Sequence, residues 1–473
     1  ADSLNITLSS GASETVTSVL HGNSNVISVP IGFFDDPEQQ KQGEVQLELS
    51  KDNLYVVGSS QSGKTVLLQT IIYGLIRKYT PQQVNLYLVD CGSMVLKIFE
   101  NSYHVGGVVL STEEEKCKNL FKMLNNIVVE RKKLLSGKGV GNYAAYLDAG
   151  YTDMPMVVVI IDNMAGFKEY FPEQFEEINR LSREAQGVGI SFVITASIAN
   201  ALNNRTLTNF GQKLALNCND KNEYGNVLGH CKVTPKENAG RGLFVLERRI
   251  LEYQTAIFGE SPKEAQRSDE FKNYIGSRNK VCTTKATLIP MVPKKLLLRT
   301  LMTEQPLEFR NAGILPIGMD FATVSLSSIN LNRTGSLSLV GDIENREMFV
   351  MNLMNMISQT VIFHNIEAIV IDEKNAKIKP FATYGYVKDY TCNATEGIEI
   401  IDDYCEAIME RCEDGVSEND AFQMIIIHNM EVFRKICTDK RQSKKLSDAI
   451  KNAKEAKAFI LITVLENQQI GFS

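Results

Sequence analysis

The sequence predicts an α/β fold in which one domain with a mostly parallel central sheet occurs twice in tandem, the second copy degenerate. Three observations predict it. Apolar strands alternate with helical runs from start to finish, ordered markers recur at a long period, and a glycine-rich loop stands between one strand and one helix.

The alternation can be read directly. Leu54 to Val57, Val84 to Val89, Val157 to Ile161 and Ser191 to Thr195 are apolar runs of strand length, and 65–78, 113–135 and 174–186 read as helices between them. With 473 residues, 50 Lys and Arg against 56 Asp and Glu, 44% hydrophobic and 22% charged residues, the chain has room for two or three cores. Disorder, collagen and a fibrous heptad rod are excluded. The longest apolar stretch, Met154 to Ile161, falls far short of the roughly 20 residues a bilayer crossing needs. Nine scattered cysteines without a C-x-x-C spell neither a disulfide framework nor a zinc site, and predict a reducing compartment. The five histidines (His21, His104, His230, His364, His428) lack metal-ligand spacing, and a net charge of −6 gives no electrostatic reason for non-specific nucleic-acid binding. The chain starts at Ala1 and stops at Ser473 just beyond an apolar strand, which reads as a fragment of something longer.

The repeat has several markers in one order. Pro30-Ile31-Gly32 recurs as Pro316-Ile317-Gly318, and Leu54-Tyr55-Val56-Val57-Gly58 as Leu337-Ser338-Leu339-Val340-Gly341. Asp90 follows Gly58 by 32 residues and Asp372 follows Gly341 by 31. Ile161-Asp162-Asn163-Met164 is echoed by Ile427-His428-Asn429-Met430, and Val193-Ile194-Thr195 by Leu461-Ile462-Thr463. These markers predict a first domain over 1–258, a linker and connector over 259–315, and a degenerate second domain over 316–473. The linker begins on a charged, apolar-poor stretch at Gly259. The apolar segment Leu288 to Lys295, with two prolines, is expected to pack on something.

Gly58-Ser59-Ser60-Gln61-Ser62-Gly63-Lys64-Thr65 is a complete G-x-x-x-x-G-K-T phosphate loop, with an apolar strand leading in and Val66-Leu67-Leu68-Gln69 continuing as a helix. Gly58 and Gly63 allow backbone conformations that turn successive N–H groups inward, and the helix offers its positive end to phosphates. Lys64 is the cation for the β/γ-phosphates of ATP, and Thr65 the hydroxyl for Mg²⁺. A metal-holding carboxylate is expected at the end of a buried strand, and Asp162 supplies it; the competing reading is an Asp that merely ends a strand. Asn163 stands where many translocating ATPases carry a Glu, and an amide cannot accept a proton, so the site is expected to bind Mg·ATP and hydrolyse it slowly or not at all. In the second copy Arg346, Glu347 and Met348 replace the second Gly, the Lys and the Thr, and His428 replaces Asp162, so Mg·ATP is not expected there.

The cluster Val29-Pro30-Ile31-Gly32-Phe33-Phe34-Asp35-Asp36-Pro37-Glu38-Gln39-Gln40, the phosphate loop, and Gly229 followed by Pro235 and Gly240-Arg241-Gly242 resemble the FtsK/SpoIIIE-like motor domains. The Pro-Ile-Gly…Asp-x-Pro-x-x-Gln lead-in is more narrowly similar to the EssC/EccC coupling ATPases of type VII (ESX) secretion. The resemblance implies RecA-like P-loop domains, the second and third ATPases of a membrane-anchored motor, with the anchor and a first ATPase upstream. It further implies hexameric assembly at the cytoplasmic face of the membrane. Contacts with other secretion-machine subunits, and recognition of the C-terminal signal of WXG-type helical-hairpin exported proteins, belong to the same expectation. The chain departs from the family where Lys213 stands in place of a trans-acting arginine and where Ser197-Ile198 replaces the Thr-Gln of the sensor turn. Arg205 and Arg241 are the alternatives, against plain surface or loop-packing roles. Charge mixtures such as Glu130-Arg131-Lys132-Lys133 read as solvated faces, and Leu353, Met356 and Ile357 as core before cargo groove.

Two other functions compete with an export motor. One is a DNA-pumping motor of the same superfamily, opposed by the acidic charge; the other is a scaffold in which ATP only stabilises the fold.

Overall fold

The computed structural model describes residues 26–464 apart from 260, 262, 294, 306–307, 309–312, 321–323, 360–365 and 418–419. His21, His364 and the outer domain limits at 1 and 473 lie outside the described residues. The chain divides into two compact units, Ala1–Met291 and Val292–Ser473.

Ten strands build the first unit: β1 (Ser28–Asp36), β2 (Lys41–Glu48), β3 (Leu54–Val57), β4 (Val84–Asp90), β5 (Val105–Leu110), β6 (Met156–Asp162), β7 (Ile190–Ala196), β8 (Gln212–Leu216), β9 (Arg241–Leu246) and β10 (Arg249–Thr255). They form one sheet in the order β2-β1-β10-β9-β8-β3-β7-β6-β4-β5. From β8 to β5 neighbours run parallel; from β8 back to β2 they run antiparallel. Every residue of β3, β4, β6 and β7 is buried, as expected of parallel strands covered on both faces. The main crossover helices are α1 (Lys64–Lys78), α2 (Glu114–Gly137), and α3 (Tyr143–Asp148); α4 (Met164–Tyr170) and α5 (Pro172–Glu184) follow β6. Further on come α6 (Asn204–Leu207), α7 (Asn222–Leu228) and α8 (Glu264–Val281).

Two expectations are corrected here. Residues 264–281, expected within a linker, form α8, whose Phe271 and Ile275 are buried in the first core. Low apolar content hid this because two side chains suffice when both are large: Phe271 meets Phe99, Tyr73 and Phe258 at ring-centroid distances of 4.9, 5.8 and 4.2 Å. The apolar segment beyond it runs along β5, with Ala286 and Ile289 donating their N–H groups to the carbonyls of Tyr103 and Gly106. The second correction is Arg131, expected on a solvated face and in fact buried. Its guanidinium donates to the carbonyls of Val188, Gly189 and Pro155 at 2.9, 3.0 and 2.7 Å, tying α2 to both the turn before β7 and the entry to β6. Burial pulls its pKa down to about 10, chiefly by desolvation, and Tyr143, Tyr87 and Tyr146 oppose that.

The second unit repeats this plan. Its strands are β11 (Ile314–Asp320), β12 (Ser325–Asn330), β13 (Ser336–Val340), β14 (Ile366–Ile371), β15 (Val387–Thr391), β16 (Phe422–Ile427) and β17 (Ala458–Val464). Its helices are α9 (Leu298–Glu304), α10 (Leu331–Thr334), α11 (Ile343–Ser358), α12 (Ala394–Asp414), α13 (Met430–Thr438) and α14 (Lys440–Asn452). The parallel sheet β13-β17-β16-β14-β15 has the order of β3-β7-β6-β4-β5. The hairpin β11-β12 repeats β1-β2 down to its irregularity: the register shifts between Pro30 and Gly32, and again between Pro316 and Gly318. Asp90 Oδ2 accepts from the N–H six residues on, that of Leu96, and Asp372 Oδ2 likewise from Ile378. Leu353, Met356 and Ile357 lie in the second core.

Replacing Arg131 with Met keeps the stem and takes the guanidinium donors from three carbonyls, of which that of Gly189 keeps the Val157 N–H. The first unit is then expected to lose about 3 kcal/mol, read as a lowered urea midpoint.

Candidate functional site

The site starts at the end of β3. Gly58 follows it where a Cβ would lie 2.5 Å from Ser62 Oγ and 2.9 Å from Leu216 Cβ, so only glycine fits. Gln61 and Gly63 take left-handed conformations, φ 61° and 103°, and a Cβ on Gly63 would sit 2.8 Å from the Gly240 nitrogen. The loop is braced from outside. Ser59 donates through its N–H and Oγ to the Asn217 carbonyl at 2.7 and 2.8 Å, and the Gly240 N–H donates to the Ser62 carbonyl at 2.9 Å. Helix α1 then begins at Lys64 with no side chain capping its first turn.

Around that turn the structure gathers the residues singled out in the sequence. The Lys64 ammonium donates to the carbonyls of Gly58 and Ser59 at 2.6 and 2.7 Å, and burial lowers its pKa against the opposing pull of Asp162. The Thr65 hydroxyl is 3.2 Å from Asp162 Oδ2, and Thr195 donates to Oδ1 at 2.5 Å. Burial raises the Asp162 pKa, and neighbouring Asp90 adds to that, while the bonds from Thr195 and Thr65 and the Lys64 charge pull the other way. Asp90 lies opposite Asp162 across the β4-β6 ladder.

Asn163 is held in place by its backbone and its amide. It adopts φ 69°, accepts from the Gly166 N–H to cap α4, and donates from Nδ2 to the Cys91 carbonyl at 3.1 Å. Its own N–H donates to Thr195 Oγ1 at 2.9 Å.

Sequence reasoning missed three members of the site: Thr195, which positions Asp162; Asn217, which holds Ser59; and Gly240, which holds Ser62. Thr195 had left a signal, because it recurs as Thr463 in the repeat. The others act through backbone atoms, which leave no side-chain signature. The remaining candidates stand apart from these bonds. Arg205 is exposed on α6, and Arg241 Nε lies 3.6 Å from Glu252. Lys213 is half-buried on β8, where burial lowers its pKa. Ile198 is exposed, its carbonyl accepting from the Tyr55 hydroxyl.

The second unit departs further than its residue replacements foretold. Helix α11 begins at Ile343, capped by Asp342, so most of the stretch that forms the loop in the first unit is wound into helix, and the N–H groups of Asn345 and Arg346 are taken by Asp342. Arg346 and Glu347 are buried; Arg346 Nη1 reaches Thr463 Oγ1 at 3.4 Å, and Glu347 is bonded by Lys377 and Asn375, both at 2.7 Å. His428 Nδ1 pairs with Thr463 Oγ1 at 2.9 Å, and burial, aided by the Arg346 charge, brings its pKa down to about 4. A neutral imidazole thus stands where the first unit has a carboxylate.

A phosphate chain with its magnesium fits the first unit's donor set. Two glycines leave a cradle that a Cβ would fill, the helix end is uncapped, and the buried Ser62 Oγ has no hydrogen-bond partner among the described residues. Thr65 and Asp162 are the hard oxygen donors such a metal takes. Among the described residues no helix is long and apolar enough to cross a membrane, and no cluster of three His, Cys, Asp or Glu could hold a metal by itself.

Residues 21–228 match the FtsK/SpoIIIE family. Over 362 residues, 74% of this chain, the sequence is 29% identical to the type VII secretion system protein EssC of Staphylococcus aureus strain MRSA252. It is 23% identical over 350 residues to the ESX secretion system protein EccC of Geobacillus thermodenitrificans. The chain spans about a quarter of the length of these curated relatives, 24% and 23%. Among solved structures, ATPases 2 and 3 of EssC from Geobacillus thermodenitrificans superpose with a TM-score of 0.80 at 19% identity, covering 94% of this chain and 84% of that one. ATPases 2 and 3 of Thermomonospora curvata EccC, solved with a signal sequence peptide, give 0.65 at 19% identity over 93% and 81%. Residues 21–228 are thus similar to the FtsK/SpoIIIE family, the chain is similar to the EssC and EccC proteins of type VII secretion, and its two units have the P-loop ATPase fold of ATPases 2 and 3.

Proposed function

We propose that the first unit binds Mg·ATP on Gly58 to Thr65 and hydrolyses it slowly, as the regulatory, cargo-recognising part of a type VII secretion motor. The observation that carries the nucleotide reading is the braced, uncapped loop with Thr65 and Asp162 converging beside it. Magnesium, when bound, neutralises phosphate charge. Thr65 and Asp162 would hold it, and the N–H groups of Ser60, Gln61 and Gly63 to Thr65 would face the phosphates. Lys64 would exchange the Gly58 and Ser59 carbonyls for phosphate oxygens. Asn163 orients no proton acceptor toward a water, which supports slow turnover.

The export reading rests on relatives and not on the loop. EssC and EccC name it, and a signal sequence peptide bound to Thermomonospora curvata EccC supports signal recognition in this chain, with the second unit as the domain that takes it. WXG-type exported proteins, an upstream ATPase, hexameric assembly and a place at the cytoplasmic face of the membrane belong to the same proposal. The second reading is a DNA translocase, favoured by the FtsK/SpoIIIE match alone.

Three outcomes are expected. The purified chain retains nucleotide through gel filtration and turns it over below roughly 1 s⁻¹. Lys64→Ala, losing charge-assisted bonds of about 1.5–3 kcal/mol, weakens nucleotide binding at least about tenfold by calorimetry.

Asp162→Asn separates binding from stability. A carboxyl whose folded pKa is raised contributes its stability below the ordinary carboxylate range and loses it as pH climbs through the raised value. Asp162→Asn therefore gains stability relative to the native chain between acid and neutral pH, read by urea midpoints, while its nucleotide affinity stops depending on magnesium.

A labelled C-terminal peptide of a helical-hairpin exported protein binds saturably in fluorescence anisotropy, and duplex DNA does not displace it. Tight DNA binding without a peptide signal would move the assignment to the translocase.

A further inference from the structure

The chain leaves the first unit's sheet after β8 and returns to it at β9, and both ends of that excursion are fastened to the loop after β3. Parallel pairing sets Ala215 of β8 beside Val57 of β3, which brings Asn217 level with Ser59. Antiparallel pairing sets Gly242 of β9 opposite Leu216, which brings Gly240 back to the same end of the sheet. The Ser59 N–H and hydroxyl then end on the Asn217 carbonyl, and the Gly240 N–H ends on the Ser62 carbonyl.

A side chain closes the ring. Asn217 Nδ2 donates to the carbonyls of Lys236 and Asn238, both at 3.1 Å, and the Asn238 carbonyl also accepts from the Arg241 N–H at 3.0 Å. One amide therefore joins the residue that holds Ser59 to the turn that holds Ser62. Lys236 to Ala239 are exposed, so hydrogen bonds and not burial keep this turn in place. Its far side is tied to β10, where Glu252 accepts from the Lys236 N–H at 2.8 Å and Gln254 Nε2 donates to the Ala239 carbonyl at 3.2 Å. Helix α7, midway along the excursion, is anchored separately: the Tyr224 hydroxyl accepts from the Cys218 N–H at 2.9 Å, and Glu223 accepts from the Ala199 N–H in the turn after β7.

From within, Lys64 holds the same loop through the carbonyls of Gly58 and Ser59. On the nucleotide reading proposed above, on which this inference rests, that inner hold is given up when Lys64 turns to phosphate. The outer hold then keeps the loop's shape, and a shape fixed in advance lowers the cost of binding. We infer that the Asn217 amide is a positioning residue for the nucleotide: both its protons are taken by carbonyls, and it acts by keeping Ser59 and Ser62 in place from outside once Lys64 has left them.

Asn217→Ala and Asn217→Asp both keep the backbone carbonyl that Ser59 uses and remove the two donors. Binding and release of a fluorescent ATP analogue with magnesium are followed by stopped flow on the full chain, and amide exchange of Gly240 is measured in the empty chain. Expected in both variants are release at least about fivefold faster, an unchanged association rate, one site per chain, and a Gly240 amide that exchanges at least about tenfold faster. The urea midpoint stays where it is, because water replaces the lost donors at exposed carbonyls. Release at the native rate, or a Gly240 amide equally protected in all three chains, overturns the positioning role and leaves the nucleotide reading standing. The same holds for variants that lose sites while the remaining sites release at the native rate, which is what local unfolding alone would give. No binding by the native chain overturns the nucleotide reading, and the role with it.

Discussion

The arrangement at the candidate site depends on keeping one carboxylate charged at the end of a sheet that is otherwise apolar. The β6 strand is buried throughout, and Asp162 closes it where water is scarce, so its negative charge costs free energy that something nearby must offset. Two hydroxyls and one ammonium offset part of it, and they arrive from two elements: Thr195 from β7, Thr65 and Lys64 from the start of α1. The parallel ladder places these ends side by side. That placement is why the loop after β3, the end of β6 and the end of β7 converge at all.

The two units show which parts of this logic are scaffold and which are chemistry. Asp90 and Asp372 tie the chain after β4 and β14 with the same bond six residues on. Asn163 and Asn429 both cap the helix after the next strand. What changes is the charge at the centre. With His428 neutral and Glu347 held by Lys377, the second unit closes its polar groups on one another. The loop itself depends on braces from Asn217 and Gly240, which lie beyond β7 beside the strands β8 and β9. In the second unit those strands have no counterpart among the described residues, and the chain there goes straight into helix after Gly341.

Much of this was legible in the sequence, and the limits of legibility are physical. The convergence of the loop Gly58 to Thr65 with Asp162 and the tandem repeat were readable because each rests on residue types at fixed spacing. The strand Leu54 to Val57 was placed to the residue because a short apolar run ends at a glycine. Arg131 was misread because a basic cluster looks the same whether its members reach water or backbone carbonyls. The helix 264–281 was misread because its burial rests on Phe271 and Ile275 alone. The helical start at Ile343 was hidden because the sequence aligns side chains, whereas the loop is held by main-chain bonds from distant residues.

Asn163 makes an exchange for glutamate costly. Asn is among the few residues that tolerate a left-handed backbone, and it is among the best helix caps. Glu is neither, so an exchange to glutamate would forfeit the cap and strain the backbone, about 1 kcal/mol for each. It would also break the bond to the Cys91 carbonyl. A single exchange at 163 therefore would not place a proton acceptor in working position. Asn163 thus secures the turn after β6, and a proton acceptor in its place would require the backbone around it to be rebuilt.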